Sequence, residues 1–261
     1  MTGIVATRSG NQSTAAKHRM LSKRGEPMFY ADWLRAVFIH YEVDAERLQR
    51  AVPFDLDLDQ GRAYLSLVAF TMRNMRPRIG GKFSALLFRP IATHDFLNVR
   101  TYVRHRGEPG IYFLAEWLSN PLSVRLGPAT FGLPYRFART EYQHEHEIGS
   151  LRGSVTAAND AVKLEYRAAI DSQTTFGPCA ANSREEFLLE RYTAFTARKL
   201  WRGFFRIWHP PWPQTGIEVK VSDTSLLTEA WPWFKDAAYI GANYSPGINE
   251  VWMGRPHGMR E

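Results

Sequence analysis

The feature that most constrains the fold of this chain is its pattern of short apolar segments, each separated from the next by turn residues. Residues 96–105 are typical, because polar and apolar residues alternate along them and one face carries Asn98, Arg100 and Tyr102. Gly107 to Gly110 then provide a hairpin turn. No apolar run approaches the ~18 residues of a membrane-spanning helix, so the segments predict strands and no membrane span.

The same pattern recurs along the chain and predicts a β-dominated fold. Further strands are expected at 34–43, 63–72, 111–118, 135–142, 148–155, 162–169, 193–198 and 203–207, with two or three more between 217 and 253. Short strands at regular spacing favour an antiparallel β-barrel or sandwich. Capping residues predict two or three short helices packed on it. Asp44 and Ser183 each begin one, Glu186 completes a capping box with Ser183, and residues 120–130 form another.

Residues 1–28 differ from the rest of the chain. They hold five basic residues against Glu26 alone, and so carry more than half of the net charge of +7. They lack the apolar segment of a secretory signal, although an organelle transit peptide stays open. We expect a disordered basic tail, with Met20 and Met28 as alternative initiators. One domain is then expected over residues 29–254, followed by a short C-terminal tail at 255–261.

Composition narrows the expected partners. The modest charge outside the tail makes nucleic acid an unlikely partner, and a basic loop over residues 74–83 is the one further candidate for such binding. Cys179 is the only cysteine, which excludes an intrachain disulfide and fits a cytoplasmic location. No phosphate-binding glycine motif and no cofactor motif is found. His144 and His146 share a strand face, but two ligands do not make a metal site. Self-association stays open.

Several segments together resemble a known family. They are His40 on the first strand, the stretch Leu97 to Val103, Gly132-Leu133-Pro134-Tyr135, the stretch Phe187 to Tyr192, and His209-Pro210-Pro211-Trp212. Over residues 30–250 they resemble the uncharacterised YqjF-like family (domain of unknown function 2071), within the acetoacetate decarboxylase-like superfamily. The resemblance implies a closed or nearly closed β-barrel core with an internal pocket.

The departure from the decarboxylase is as informative as the resemblance. In that enzyme one lysine forms a Schiff base with a ketone, and an adjacent cation lowers its pKa. The corresponding segment here reads Tyr135-Arg136. A phenol forms no imine and a guanidinium stays protonated, so Schiff-base chemistry is not expected. A relocated lysine on a predicted strand (Lys163, Lys199 or Lys220) remains an alternative.

These residues define a candidate ligand site. Arg100 could clamp an anionic group, with Tyr102 on the same face, and Tyr135 could serve as a general acid or hydroxyl donor. Because adjacent strand residues face opposite sides, only one of Tyr135 and Arg136 can point inward. His40 is a further polar contact. Glu190 and His209 are expected at the rim, and Trp212 could supply an apolar wall, although Glu190 could instead form a structural ion pair, for example with Arg191.

Two hypotheses follow from this set. The first is an enzyme or binding protein for an apolar or aromatic small molecule that bears an anionic group, with lyase or isomerase chemistry resting on analogy of fold. The second is a non-catalytic structural or protein-interaction module. A cavity lined by Arg100 and Tyr135 would favour the first.

Overall fold

Fourteen strands joined in one hydrogen-bonded sheet form the framework of the protein. The computed structural model describes residues 8–198 and 201–259. Its strands are β1 (Phe29–Val43), β2 (Asp55–Leu56), β3 (Ala63–Pro77), β4 (His94–His105), β5 (Glu108–Leu118), β6 (Tyr135–Gln143), β7 (Ser150–Ala157), β8 (Lys163–Ala169), β9 (Thr193–Arg198), β10 (Trp201–Trp208), β11 (Thr215–Ile217), β12 (Val219–Asp223), β13 (Ala238–Met253) and β14 (His257–Gly258). Its helices are α1 (Arg8–Leu21), α2 (Ala45–Ala51), α3 (Gly81–Phe88), α4 (Pro121–Phe131), α5 (Arg184–Leu189) and α6 (Ser225–Ala230).

The strand pairings return to their starting point at β5. The order β5, β9, β10, β13, β1, β3, β4 leads back to β5, because β4 and β5 form the hairpin expected from the sequence. The β-dominated fold is therefore confirmed. The purely antiparallel expectation is wrong in two places, since β5 pairs in parallel with both β6 and β9. A crossover connection makes the first of these possible, and α4 supplies it between β5 and β6.

Three of the six helices that the structure describes were expected from the sequence, two of them from their capping residues. Asp44 accepts a hydrogen bond from the Arg47 backbone N–H (2.8 Å) at the start of α2. Ser183 does the same for Glu186 at the start of α5. The helix expected over 120–130 is α4, and Asn120 caps it. Helices α1, α3 and α6 were missed, and α3 occupies part of the segment that was predicted to be a basic loop.

The expectation of a disordered tail over residues 1–28 is not met by the residues described there. Helix α1 packs on β10, and it buries Ser13, Ala16 and Met20, which lie on one helical face. The Ser13 hydroxyl donates to the His209 carbonyl (2.5 Å), and the Trp208 indole donates to the Ser13 carbonyl (3.1 Å). Serine and alanine on the packed face give little hydropathy contrast, which explains why the pattern was missed.

The C-terminal segment also belongs to the framework. Residues 255–261 were expected to be a short tail, but β14 pairs with β10. The His257 imidazole contacts the buried Glu26 carboxylate, which joins the two ends of the described chain. No helix among residues 8–198 and 201–259 is long and apolar enough to cross a membrane.

The alternation read from the sequence divides the core into two layers. Along β4, Leu97, Val99 and Val103 pack in one apolar cluster. Phe96 and Tyr102, on the opposite face, pack in the other cluster. The face of β4 that carries Phe96 and Tyr102 also carries the polar side chains of this strand, and it forms one wall of a cavity.

Candidate functional site

A cavity of about 360 Å³ lies against β4, β5 and β6, with α4 on its other side. Its walls are mainly aromatic and include Phe29, Trp33, Phe70, Phe96, Phe113 and Tyr135. A volume of this order accommodates a small organic molecule. Few polar side chains interrupt the apolar wall, and their placement decides what the cavity can hold.

Three polar residues form a row across neighbouring strands. Asn98 on β4 pairs with Glu116 on β5 in an antiparallel register, and Glu116 pairs with Tyr135 on β6 in a parallel register. Residues at paired positions place their side chains on the same face of a sheet. All three side chains accordingly line the cavity.

Buried polar atoms around the cavity lack partners within the part of the chain that the structure describes. They are Asn98 Oδ1, Glu116 Oε2 and Ser123 Oγ. A buried polar atom without a hydrogen bond costs roughly 1–3 kcal/mol, so such groups are rare in native proteins. Their concentration around one cavity indicates a place where a ligand or ordered water completes the hydrogen bonding.

Burial keeps the titratable groups of the cavity neutral. It raises the pKa of the Glu116 carboxyl well above its usual range. Burial likewise raises the pKa of the Tyr135 phenol, and an ionised Glu116 would raise it further. Burial lowers the pKa of the His94 imidazole to about 4. Burial thus favours the uncharged forms of a carboxyl, a phenol and an imidazole in this apolar cavity.

Packing fixes the position of Tyr135. Its ring lies edge-on to Phe96, with ring centroids 6.1 Å apart. On the other side it lies against Gly127 of α4, where a methyl group in place of the glycine hydrogen would overlap the ring. The absence of a side chain at Gly127 therefore leaves the space that Tyr135 occupies.

The structure decides which residue of the Tyr135-Arg136 pair points inward. Tyr135 lines the cavity, whereas Arg136 is exposed and lies over the Trp117 ring (5.3 Å) on the opposite face of the strand. The expected ligand contact from Arg136 is therefore not supported. Because successive side chains along β6 point to opposite faces, only one of Tyr135 and Arg136 could point into the cavity.

Arg100 and Tyr102 are buried but do not line the cavity. The Arg100 guanidinium donates to the Leu188 carbonyl (2.9 Å), and the Tyr102 hydroxyl donates to the same oxygen (2.9 Å). They lie further along the cavity-facing side of β4 than Asn98. Tyr135 therefore lines the cavity, whereas Arg100, which was expected beside it, does not.

His40 belongs to a buried hydrogen-bond network. Its Nδ1 lies 2.7 Å from Ser66 Oγ and its Nε2 lies 3.1 Å from Asn243 Oδ1. Burial lowers the pKa of the imidazole to about 3, so the ring is neutral. It then donates through Nε2 to Asn243 and accepts from Ser66, which satisfies both nitrogens. His40 also borders a second, more polar cleft, but it does not line the aromatic cavity.

Glu190 has specific partners, though not the predicted ones. Its carboxylate accepts hydrogen bonds from the Tyr192 hydroxyl (2.5 Å) and the Trp212 backbone N–H (2.9 Å). Arg191 instead forms a buried ion pair with Asp57 (2.7 Å). Burial raises the pKa of Glu190 to about 7. The alternative in which Arg191 pairs with Glu190 is therefore wrong.

His209 does not lie at a rim, and Trp212 does not form a wall of the aromatic cavity. Both are buried, and Trp212 stacks on Trp33 (6.3 Å) and meets Phe38 edge-on (5.1 Å). The His209 ring packs on Tyr192 (4.8 Å). His209 and Trp212 are thus packed in the core, and Glu190 is buried with them.

Sequence reasoning missed most of the polar residues of the cavity. Glu116 gave one usable signal, because it is the only charged residue in the apolar stretch 111–118. Asn98 was placed on the correct face but was not selected. His94 and Ser123 gave no signal, because only the approach of α4 to β4 brings them to the same cavity. No cluster of potential metal ligands occurs among the described residues, and His144 is occupied by Arg35 and Tyr166.

Comparison with known proteins identifies the family. The model of DUF2071, described as an uncharacterized conserved protein, matches residues 30–248. The chain belongs to this family. Among curated relatives, the uncharacterized protein YqjF of Bacillus subtilis (strain 168) is 28% identical over 204 residues, which cover 76% of this chain and 79% of YqjF.

Solved structures show that this DUF2071 chain has an acetoacetate decarboxylase-like fold. The enduracididine biosynthesis enzyme MppR with bound HEPES has a TM-score of 0.64 at 13% identity, covering 89% of this chain and 88% of MppR. An acetoacetate decarboxylase-like enzyme from Sphingomonas wittichii RW1 has a TM-score of 0.61 at 13% identity, covering 90% and 94%. Acetoacetate decarboxylase from Legionella pneumophila has a TM-score of 0.56 at 13% identity, covering 88% and 87%. At this identity the likeness concerns the fold alone.

Proposed function

We propose that this DUF2071 protein binds a small, largely apolar carbonyl compound in the aromatic cavity and polarises its carbonyl oxygen without forming a Schiff base. The observation that carries the proposal is the pairing of Glu116 with Tyr135 on neighbouring strands at the cavity wall. A protonated carboxyl beside a phenol presents two neutral donors to one oxygen atom. Such a pair can stabilise negative charge that develops on a carbonyl oxygen.

His94 adds a base to this arrangement. Its imidazole is neutral and lines the same cavity. Polarisation of the carbonyl acidifies the adjacent C–H bond. The proposed step moves that proton to an imidazole nitrogen, while the C–H electron pair forms the enol double bond and the oxygen accepts a hydrogen from the donor pair. Reversal with a solvent-derived proton exchanges the hydrogen without net reaction.

The lining favours a neutral ligand. No arginine or lysine occurs among the residues described as lining the cavity, and Arg100 directs its guanidinium to the Leu188 carbonyl. We therefore expect a ligand without the anionic group that the sequence had suggested. Structures of MppR with pyruvate and with HEPES support small-molecule binding as a property of this fold.

The same lining supports the exclusion of imine chemistry. A Schiff base requires an amine within reach of the carbonyl carbon, and Tyr135 offers only a phenol. Treatment with acetophenone and borohydride, followed by mass spectrometry, should leave every lysine unmodified. A lysine adduct would refute this part of the proposal.

Hydrogen exchange tests the proton-transfer step. Acetophenone is incubated with the protein in D₂O, and loss of the methyl proton signal is followed by NMR. We expect faster exchange than in buffer, with rates reduced about 10²-fold or more by Glu116→Gln, Tyr135→Phe or His94→Gln. Glu141→Gln changes an exposed carboxylate on the same strand as Tyr135 and serves as the control.

Ligand binding is measured separately with neutral and anionic probes. N-phenyl-1-naphthylamine is neutral, and its fluorescence rises in apolar cavities, whereas benzoate carries a negative charge. We expect the neutral probe to bind and acetophenone to displace it, with benzoate much weaker. Tight benzoate binding, or unchanged exchange rates in all three cavity variants, would contradict the proposal.

A further inference from the structure

Two helices at the cavity carry an unusual concentration of exposed apolar side chains. We call this surface the α3–α4 face. It comprises Ile79 (74% exposed), Phe83 (72%), Leu86 (62%), Leu87 (64%), Leu122 (43%) and Leu126 (48%). Five other large apolar side chains of the described residues are comparably exposed, and they come from five separate segments of the chain. Contiguous apolar patches of this kind mark interaction sites.

The two helices form one surface because they meet at their ends. The Asn120 side-chain amide at the start of α4 donates to the Pro90 carbonyl just after α3 (2.7 Å). The Phe29 ring contacts both Phe88 at the end of α3 (5.5 Å) and Phe131 at the end of α4 (6.0 Å). Helix α3 has no buried residue, so its apolar side chains are not part of the core.

Basic residues surround the apolar side chains. Arg78, Lys82, Arg89 and Arg125 are exposed, and none of them forms an ion pair within the described part of the chain. The segments that supply the face, residues 62–94 and 117–140, contain no aspartate or glutamate. The carboxylates that border this region are already occupied: Glu250 pairs with Arg76, and Asp32 accepts from Asn74.

We propose that the α3–α4 face docks on an anionic membrane surface. Phe83, Leu86 and Leu87 enter the boundary between headgroups and acyl chains, while the surrounding cations contact lipid phosphates and carboxylates. An exposed apolar surface bordered by cations can bury its apolar side chains at the boundary between headgroups and acyl chains, and its cations are attracted to anionic lipids. Each exposed cation near an anionic surface adds to the attraction, and salt screens this contribution.

Charge favours a bilayer over a second copy of the chain. A symmetric dimer through this face would bring the four cations of one subunit close to the same four of the other, with no carboxylate in either segment to balance them. An anionic bilayer offers the complementary charge. The inference goes beyond the proposed function, because docking does not depend on what the cavity holds.

Docking would also bring the cavity to the bilayer. Leu126 belongs to both features: it is 48% exposed on the α3–α4 face, and it lines the cavity. Phe88 and Ile91, which follow the apolar residues of α3, line the cavity as well. An apolar compound dissolved in the membrane would therefore meet the cavity wall at the docking surface.

Vesicle sedimentation tests the proposal. The full chain is incubated with vesicles of phosphatidylcholine alone or with about 30% phosphatidylserine, at low and at high salt. We expect binding to the anionic vesicles that falls at least about fivefold at high salt, with little binding to the neutral vesicles. Phe83→Ser with Leu87→Ser, and Lys82→Glu with Arg89→Glu, should each abolish sedimentation.

Matched controls change the same residue types elsewhere. Ile148→Ser removes an exposed apolar side chain, and Lys220→Glu with Lys235→Glu reverses two exposed cations that have no ion pair among the described residues. These variants should sediment like the unchanged protein. Absence of binding to anionic vesicles, or equal loss in the controls, would refute membrane docking. Light scattering measures the oligomeric state of the same variants. A dimer that dissociates in the variant with Phe83→Ser and Leu87→Ser would identify a second copy as the occupant instead.

Discussion

Glu116 on β5 and Tyr135 on β6 occupy paired positions of a parallel strand pair and face the same cavity. Parallel pairing requires a crossover between the two strands, and α4 provides it. The helix that makes this register possible also supplies Gly127, against which the Tyr135 ring lies. The geometry of the candidate site therefore depends on the crossover from β5 to β6 through α4.

Substitution of Gly127 tests this dependence. The new methyl group of Gly127→Ala overlaps the Tyr135 ring, so the phenol must move out of the row that it forms with Glu116. We expect weaker binding of N-phenyl-1-naphthylamine by about tenfold, and a loss of about 1–3 kcal/mol in the free energy of unfolding. Gly216→Ala, where a methyl group meets no atom within 4 Å, is the control and should leave the binding unchanged. Equal effects of the two substitutions would contradict the role given to Gly127.

The protonation of Glu190 should make stability depend on pH. Burial raises the pKa of the folded-state carboxyl to about 7, above its value of about 4.3 in an unfolded chain. The folded state therefore binds the proton more tightly. This contribution to stability is fully present below about pH 4.3 and is lost as the pH rises to about 7.

Glutamine at position 190 imitates the protonated carboxyl and removes this titration. The free energy of unfolding of Glu190→Gln minus that of the unchanged protein should increase by about 2 kcal/mol between pH 5 and pH 7, since each pH unit contributes up to about 1.4 kcal/mol. Urea unfolding at several pH values measures the difference. Glu229→Gln, at an exposed carboxylate, should show no such trend. A flat difference for Glu190→Gln would show that the buried carboxyl is ionised throughout.

The buried ion pair between Asp57 and Arg191 should be essential for stability. Asp57 accepts from Arg191 (2.7 Å) and from Arg104 (2.9 Å), and the Arg191 guanidinium lies over the Phe187 ring (4.1 Å). Asp57→Asn leaves that guanidinium buried without its carboxylate, which costs roughly 3–5 kcal/mol. Thermal unfolding should therefore occur at a clearly lower temperature. Asp55→Asn, two residues earlier and exposed, should have little effect; equal stability of both variants would sink the prediction.

Helix α1 should contribute to stability. A chain that starts at Met20 lacks Ser13 and its two hydrogen bonds to the segment 208–209. It also loses the Lys17 ammonium over the Trp208 ring (4.3 Å). We expect a decrease of roughly 2 kcal/mol in the free energy of unfolding, because each buried hydrogen bond contributes about 1 kcal/mol.

Point substitutions separate packing from chain length in this experiment. Ser13→Ala removes the buried hydroxyl, whereas Thr14→Ala removes an exposed one that bonds only within the helix. We expect Ser13→Ala to reproduce about half of the loss and Thr14→Ala to leave stability almost unchanged. A chain from Met20 as stable as the full one would show that α1 does not stabilise the fold.

Strand identity and facing could be predicted from the sequence because they depend on local periodicity. The alternation along β4 placed Asn98, Arg100 and Tyr102 on one face, and the structure shows this face turned away from Val99. Capping residues placed α2 and α5 for the same local reason. The resemblance at Tyr135-Arg136 also leads to the expectation of chemistry without an imine.

Only the tertiary structure decided which of these residues share a cavity. His94, Glu116 and Ser123 belong to β4, β5 and α4, and they come together because β5 pairs with β6 in parallel while α4 closes over them. Arg100 was placed on the correct face, yet a carbonyl of the segment 184–189 takes up its guanidinium. Periodicity fixes the side of a strand on which a residue lies. The register between distant strands and the approach of a crossover helix determine what that side chain meets.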